Sequence, residues 1–155
     1  MRIKALTTND FINNKSTILE LLVETYMLNF DISKAKSEVI CKGKIEELLE
    51  YLNQNHVILI GAYQEELLVG FLWSYKHEFF GEKRLHINQI VVQTDYRGKK
   101  VGSKLMEAVE EVAKEQKINT IDLFVSEDNL KAINMYDSIG YMTERRYMKK
   151  NIQER

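Results

Sequence analysis

The sequence predicts an α/β (α+β) fold, in which a mixed, mostly antiparallel twisted sheet carries helices on both faces. Three observations predict it. Apolar residues recur at helical spacing in two stretches near the N-terminus. Short apolar and β-branched runs then follow one another, separated only by polar or glycine-containing turns. In the second half, strands alternate with helices, and such crossovers join parallel strands, so the sheet should be antiparallel first and parallel later.

The N-terminal part is expected to hold one short strand and two helices. The strand covers residues 2–6, and the first helix covers residues 16–29. A second helical stretch follows Asp31, and Gly43 is expected to interrupt it. Beyond that glycine, one amphipathic face is formed by Ile45, Leu48, Leu49 and Leu52.

The middle of the chain predicts consecutive strands. Residues 57–63 and 67–76 form a hairpin around a polar turn at 64–66. After a connection at 79–83, the next strand runs over residues 85–93. Because short turns join all three strands, we expect them to be antiparallel neighbours.

The last third predicts the crossovers. A helix covers about residues 101–116, and a strand covers 118–125. The next helix, at 130–139, is stopped by Gly140. Strand character over residues 141–150 is expected to close the fold.

Composition bounds the possible functions. A chain of 155 residues suits one compact domain over residues 1–155. Its 22 basic and 23 acidic side chains give a net charge of -1, which argues against coating nucleic acid or an anionic membrane. Cys41 is the single cysteine, so a reducing, cytoplasmic location is expected. We see no signal peptide and no apolar run near the roughly 20 residues of a membrane helix.

Residues 90–103 carry the most informative pattern, in which a strand leads into a glycine-containing loop that opens a helix. The free N–H groups of such a loop meet the positive end of the helix dipole and bind anions. A diphosphate is the expected guest, because positive charge is added by Arg97, Lys99 and Lys100. Only three residues separate Gly98 from Gly102, which excludes a P-loop, and no dinucleotide fingerprint is present. A plain lysine- and glycine-rich surface turn is the alternative.

Two segments together resemble one family. Residues 92–105 resemble the acetyl-CoA signature R/Q-x-x-G-x-G/A of the GNAT superfamily, and residues 129–141 resemble its N-x-x-A-x-x-x-Y-x-x-x-G-F/Y block. Their joint occurrence, with a helix and a strand between them, is far more specific than either motif alone. The resemblance covers residues 57–150. It implies the GNAT fold and direct transfer of an acetyl group from acetyl-CoA to a primary amine, with no metal.

The signature departs from the family at one position. Lys100 stands where the family most often has its first motif glycine, which lets the backbone approach the pyrophosphate closely. A lysine with a positive φ would cost on the order of 1 kcal/mol. With a negative φ, its ammonium group would instead help to hold phosphate.

The resemblance implies a set of cofactor-binding residues. Ile90 and Val92 offer backbone groups to the pantetheine arm, and an N–H group near Ile90 or Val91 faces the thioester carbonyl as an oxyanion donor. The diphosphate is held by the backbone N–H groups of Arg97, Gly98, Lys99, Lys100, Val101, Gly102 and Ser103. Asn129 hydrogen-bonds the pantetheine amides, and a plain helix N-cap is the alternative for this side chain.

The resemblance also implies that Tyr136 is the general acid that protonates the departing thiolate. It follows Asn129 by seven residues, so the two can share a helix face. A phenol with a pKa near 10 is a protonated donor at neutral pH. From position alone, a core tyrosine that only packs is the alternative.

The general base is less clearly encoded. Some family members use a glutamate where this chain has Phe124, and others use one where it has His86. Histidine titrates in the right range, and His86, Asn88 and Ile90 are predicted to share a strand face that opens on the cleft. A structural histidine is an equal alternative, and Glu127 with a water chain is another.

The acceptor side is only weakly encoded. In the family, the amine binds among the first two helices and the third and fourth strands, where this chain offers Tyr26, Asp31, Trp73, Tyr75, His77, Glu78 and Phe80. Packing or a dimer face is the alternative for each. The three histidines are dispersed over strands, so no metal-ligand spacing is evident. Cys41 is expected to be buried rather than a nucleophile.

Two other function classes stay open. A catalytically degenerate GNAT would bind acyl-CoA as a sensor. Lys100 and Phe124 are consistent with this hypothesis, because both depart from the family pattern. A nucleic-acid-binding domain would use the basic loop, but the near-neutral charge speaks against it. A small-molecule or peptide amine would satisfy the motifs. We expect a monomer or homodimer with no nucleic-acid or membrane partner.

Overall fold

A computed structural model describes residues 1–153. The chain divides into two compact units, of which the first covers residues 1–123 and the second begins at Phe124. The first unit contains β1 (Arg2–Ala5), α1 (Thr8–Phe30), α2 (Lys34–Asn53), β2 (Val57–Gln64), β3 (Leu67–Phe79), β4 (Glu82–Val92), α3 (Val101–Glu115) and β5 (Thr120–Leu123). The second contains α4 (Leu130–Ser138).

The sheet of the first unit has five strands in the order β1-β2-β3-β4-β5. The first three pairings are antiparallel, and β5 pairs with β4 in parallel. This confirms the mixed, mostly antiparallel fold, including the switch to parallel pairing after the first crossover. The parallel pairing is short and ends at Ile87 and Leu123.

The two faces of the sheet pack against different helices. Phe71, Trp73 and Val91 belong to a core cluster that they share with apolar residues of α1 and α2. On the opposite face, an alanine-sized Cβ at Gly70 would lie 3.4 Å from Val101 and 3.6 Å from Leu105 of α3. Side chains on alternate positions of β3 therefore point to opposite helical layers.

Helix α2 runs without interruption through Gly43, so the predicted break there is wrong. Gly43 is exposed, and the buried stripe of Cys41, Ile45 and Leu48 continues on either side of it. A glycine in an exposed helical position costs only about 1 kcal/mol relative to alanine. Burial of a single leucine contributes more than that, so packing keeps the helix intact.

The predicted closing strand at residues 141–150 is also wrong. The structure assigns these residues no regular secondary structure. Met142, Tyr147 and Met148 are each at least 85% exposed. A strand gains stability from a buried face, and these three side chains bury little of their surface.

Candidate functional site

Strand β4 has an unpaired edge just before the glycine-containing loop. On one side it pairs with β3 as far as Val92, but on the other side its pairing with β5 stops at Ile87. Within the first unit, residues 1–123, no strand pairs with residues 88–92 on that second edge. Their backbone groups are thus placed to pair with an extended ligand, as an added strand would.

A β-bulge at Asn88 breaks the alternation of side chains along β4, so residues on either side of it point to different faces than strict alternation predicts. Trp73 pairs with Gln89 and Ser74 pairs with Ile87, so Asn88 is the extra residue. His86 lies opposite Tyr75, on the face of α1 and α2, whereas Ile90 lies opposite Leu72, on the α3 face. The prediction that His86 and Ile90 share a face is therefore wrong, because the bulge breaks the alternation.

The loop after β4 ends in a helix start that has no side-chain cap. Lys100 is the N-cap of α3 and makes no capping hydrogen bond with its side chain. Lys104 makes the first backbone hydrogen bond of the helix, to the Lys100 carbonyl. The three preceding amides, of Val101, Gly102 and Ser103, are those that helix geometry leaves without an intrahelical acceptor. An anionic group fits these donors and the helix dipole.

Two residues of the loop have left-handed backbone. Gly98 has φ 75° and Lys100 has φ 63°. Lysine thus adopts the conformation of the glycine that it replaces in the signature, and the alternative with a negative φ is not observed. The turn keeps its shape at the cost of strain at Lys100.

The basic side chains of the loop have different surroundings. The Arg97 Nε donates to the Val92 carbonyl at 3.0 Å, which ties the guanidinium to the end of β4. The Lys99 ammonium lies 5.2 Å from the centre of the Tyr96 ring. Lys100 is exposed. The charges of Lys99 and Lys100 thus add to the positive potential around the loop.

In the second unit, Asn129 and Tyr136 lie on or beside α4. Asn129 is the N-cap, and its side-chain oxygen accepts a hydrogen bond from the Ala132 amide at 3.2 Å. The capping alternative therefore applies to this residue. Tyr136 is 9% exposed, and burial raises the pKa of its phenol. A raised pKa keeps the phenol protonated at neutral pH, so it can act as a proton donor.

His86 belongs to a network centred on Asp122 of β5. The His86 Nδ1 lies 2.7 Å from the Asp122 Oδ1, and the His77 Nε2 lies 3.1 Å from Oδ2. Arg84 donates to Oδ2 at 3.3 Å. Burial raises the Asp122 pKa, but the hydrogen bond from His86 and the charge of His77 outweigh burial, so the pKa lies below its ordinary value.

The network was not predicted, because neither Asp122 nor the pairing of His77 with His86 stands out in the sequence. His86 and Asp122 are register partners on adjacent parallel strands, and His77 lies opposite Arg84. Their proximity depends on the register of three strands. The only indication of the network in the sequence was the presence of two histidines and an aspartate in separate strands.

A cavity of about 340 Å³ opens between α2 and the strands beside it. Of the predicted acceptor residues, it is lined by Trp73, Tyr75 and His77. It is also lined by eight residues that the sequence did not suggest as acceptor residues, namely Lys44, Glu47, Leu48, Tyr51, His56, Val57, Lys76 and Asn88. A hydrogen bond to Glu47 is the main cause that raises the Tyr51 pKa.

The other predicted acceptor residues do not line this cavity. Tyr26 is buried, and its hydroxyl accepts a hydrogen bond from Gln89 at 3.0 Å. Asp31 is the C-cap of α1, and Phe80 is 96% exposed. Glu78 borders a second, smaller hollow. Cys41 is buried, and burial raises its pKa, as expected for a thiol that only packs.

Comparison with known proteins identifies relatives. The chain matches the model of the acetyltransferase (GNAT) family over residues 17–141. It is 27% identical to a probable spermine N(1)-acetyltransferase of Bacillus subtilis subsp. natto, over 91% of this chain and 87% of that protein.

Two further relatives match over a shorter length. The N-terminal acetyltransferase B complex catalytic subunit NAA20 of Arabidopsis thaliana is 35% identical over 41% of this chain and 37% of its own length. Thialysine N-epsilon-acetyltransferase of Sus scrofa is 30% identical over 52% of this chain and 48% of its own length. The chain thus spans about half or less of these two relatives.

Solved structures share the fold. The PaiA N-acetyltransferase of Thermoplasma acidophilum in complex with coenzyme A superimposes with a TM-score of 0.74 at 21% identity, over 93% of this chain and 92% of that one. An aminoglycoside acetyltransferase from an uncultured soil metagenomic sample, in complex with sisomicin, gives a TM-score of 0.72 at 23% identity, over 97% of this chain and 93% of that one.

Across residues 1–153, none of the helices combines the length and hydrophobicity that crossing a membrane requires.

Proposed function

Because this chain belongs to the acetyltransferase (GNAT) family, we propose that it is an N-acetyltransferase that moves the acetyl group of acetyl-CoA directly to a primary amine. One observation carries the proposal: the uncapped start of α3 is joined by a short loop to the edge of β4 with which no strand of the first unit pairs. The first feature suits a diphosphate, and the second suits the extended, amide-containing pantetheine arm.

The residues present fit acetyl-CoA. The amides of Val101, Gly102 and Ser103 would hold the diphosphate, and the backbone of Ile90 and Val92 would pair with the pantetheine. Acetyl-CoA supplies an activated acyl group as a thioester. The Val91 or Ile90 amide would stabilise the negative charge that develops on the carbonyl oxygen. The side-chain oxygen of Asn129 caps α4, so the side-chain NH2 group would be the one that donates to a pantetheine carbonyl.

The cavity beside α2 would receive the amine. Its aromatic residues Trp73, Tyr75 and Tyr51 suit an ammonium group, while its charged residues are of both signs, namely Glu47, Lys44 and Lys76. Relatives named for spermine and thialysine acetylation act on amines of this kind. We therefore propose a small primary amine as acceptor.

Two side chains would move protons. His86, oriented by Asp122, would take a proton from the ammonium group before attack. The amine nitrogen then forms its bond to the acyl carbon, the carbon–sulfur bond breaks, and Tyr136 would protonate the thiolate. Direct attack is proposed because the single cysteine is buried and its pKa is raised, which disfavours an acyl-enzyme.

The test measures thiol release from acetyl-CoA with a panel of amines, together with CoA binding by calorimetry. Amine-dependent thiol release, matched by the acetylated product in mass spectrometry, would support the proposal. CoA binding without turnover on any amine would instead support the degenerate, acyl-CoA-binding alternative. An absence of CoA binding would contradict both.

A further inference from the structure

The Asp122 network brings three potential metal ligands together on one face of the sheet. His77 is in β3, His86 in β4 and Asp122 in β5, and one donor atom of each lies within 4.8 Å of the other two. The three strands are hydrogen-bonded neighbours, so their backbones hold the ligands in fixed relative positions. This differs from the expectation that the histidines are dispersed.

The distances suit a small metal ion after slight side-chain movement. The Asp122 Oδ1 lies 2.7 Å from the His86 Nδ1 and 3.2 Å from the His77 Nε2. A tetrahedral zinc ion with bonds of about 2.0–2.2 Å places its ligand atoms roughly 3.3–3.6 Å apart. The ligands therefore need to separate by less than an ångström around Oδ1, which rotation of the side chains can supply.

The second carboxylate oxygen of Asp122, Oδ2, already accepts a hydrogen bond from Arg84. Arg84 donates to the Asp122 Oδ2 at 3.3 Å, and Glu82 accepts from the Arg84 guanidinium at 3.2 Å. Metal-bound carboxylates commonly keep such a hydrogen bond on the oxygen that does not bind the metal. Glu82 also offsets part of the charge by which Arg84 would repel a cation.

The site can be reached, and it has room for a further ligand. The side chains of His77 and Asp122 are 28% and 22% exposed, whereas that of His86 is 9% exposed. His77 also lines the 340 Å³ cavity, so water or an amine could take a fourth position. An open fourth position is typical of zinc sites that are not purely structural.

We propose that His77, His86 and Asp122 form a Zn²⁺-binding site. Two imidazoles and one carboxylate are ligands that zinc accepts in tetrahedral geometry. A bound ion would occupy the His86 nitrogen that faces Asp122 and stand beside the acceptor cavity. Zinc would therefore inhibit acetylation, and this consequence, unlike metal binding itself, rests on the proposed function.

The test titrates the tag-free full chain with Zn²⁺ in competition with a chromophoric chelator, and with Co²⁺ followed by visible absorption. We expect one ion per chain and the intense absorption of four-coordinate Co²⁺. His77→Gln and Asp122→Asn should each weaken Zn²⁺ binding by at least about tenfold, the lower bound for disturbing a metal site. His56→Gln is the matched control, because His56 lines the same cavity but is not one of the three ligands.

Unchanged Zn²⁺ affinity in His77→Gln would overturn the proposal, and so would an equal loss in His56→Gln. His77→Gln is the decisive variant, because this side chain is partly exposed and its loss should leave the fold intact. Circular dichroism checks that point for both ligand variants. Binding is measured without substrate, so an inactive protein that binds one Zn²⁺ would contradict only the proposed function.

Discussion

Lys100 holds a backbone conformation that lysine adopts only at a cost. Its φ of 63° places it in the left-handed region, at the N-cap of α3. The strain costs roughly 1–2 kcal/mol, while glycine loses about 0.4–1 kcal/mol more conformational freedom on folding. We expect Lys100→Gly to raise the free energy of unfolding by up to about 1.5 kcal/mol. Urea unfolding measures it, and Lys100→Ala, which keeps the strain, is the control and should give no gain.

Tyr136 is expected to act through its oxygen and not its ring. Burial raises the pKa of the phenol, which keeps it protonated. Tyr136→Phe removes only the donor and preserves the ring, so melting temperature and acetyl-CoA affinity should barely move. We expect kcat to fall by about 10- to 1,000-fold, as for loss of a general acid.

The loss should shrink with an acyl donor whose thiol is more acidic, because a better leaving group needs less protonation. Single-turnover kinetics establish that chemistry limits the rate. An unchanged rate constant under those conditions would make Tyr136 a packing residue only.

At the scale of elements, α1 begins with a capping box that periodicity did not reveal. The Thr7 Oγ1 accepts from the Asp10 amide at 3.1 Å, and the Asp10 carboxylate accepts from the Thr7 amide at 2.9 Å. We therefore expect Thr7→Ala to destabilise the chain by about 1 kcal/mol. Urea unfolding gives the value, and Thr7→Ser, which keeps the hydroxyl, should remain close to wild type.

The same cap should respond to acid. The hydrogen bond from the Thr7 amide is the main cause that lowers the pKa of Asp10 below its ordinary value of 3.8, and the hydrogen bond from Lys4 lowers it further. A lowered folded-state pKa means that this contribution is complete above about pH 4 and is lost as pH falls through the folded pKa. In Asp10→Asn, the difference in stability from wild type should shrink over that window. A difference that stays constant from pH 6 to pH 2.5 would contradict the assignment.

At the scale of the whole molecule, the sequence predicted where the strands lie better than it predicted how neighbouring strands align. Hydrophobic spacing located all five strands of the sheet, because burial acts on each strand separately. It missed the bulge at Asn88, which depends on how β4 aligns with β3. It also missed the meeting of Asp122 with two histidines, since contacts across three strands leave no mark in the spacing of any one strand.

Binding of CoA should stabilise the folded chain as a whole. A ligand present at 100 times its dissociation constant adds about 2.7 kcal/mol, or roughly 5–10 °C in melting temperature for a chain of this size. The rise in melting temperature on CoA binding should be smaller in Lys99→Glu. Lys99 lies in the loop before the uncapped start of α3, where the diphosphate is proposed to bind. Lys117→Glu makes the same charge change at an exposed position after α3 and serves as the control.

Thermal shift with and without CoA, at low and high salt, measures the difference. The Lys99 effect should weaken at high salt, because added ions screen an exposed charge. An equal loss of the shift in both lysine variants would indicate a general charge effect and not a phosphate site at this loop. A wild-type chain whose melting temperature does not respond to millimolar CoA would remove the cofactor from the proposal, since no ligand can bind the folded state without stabilising it.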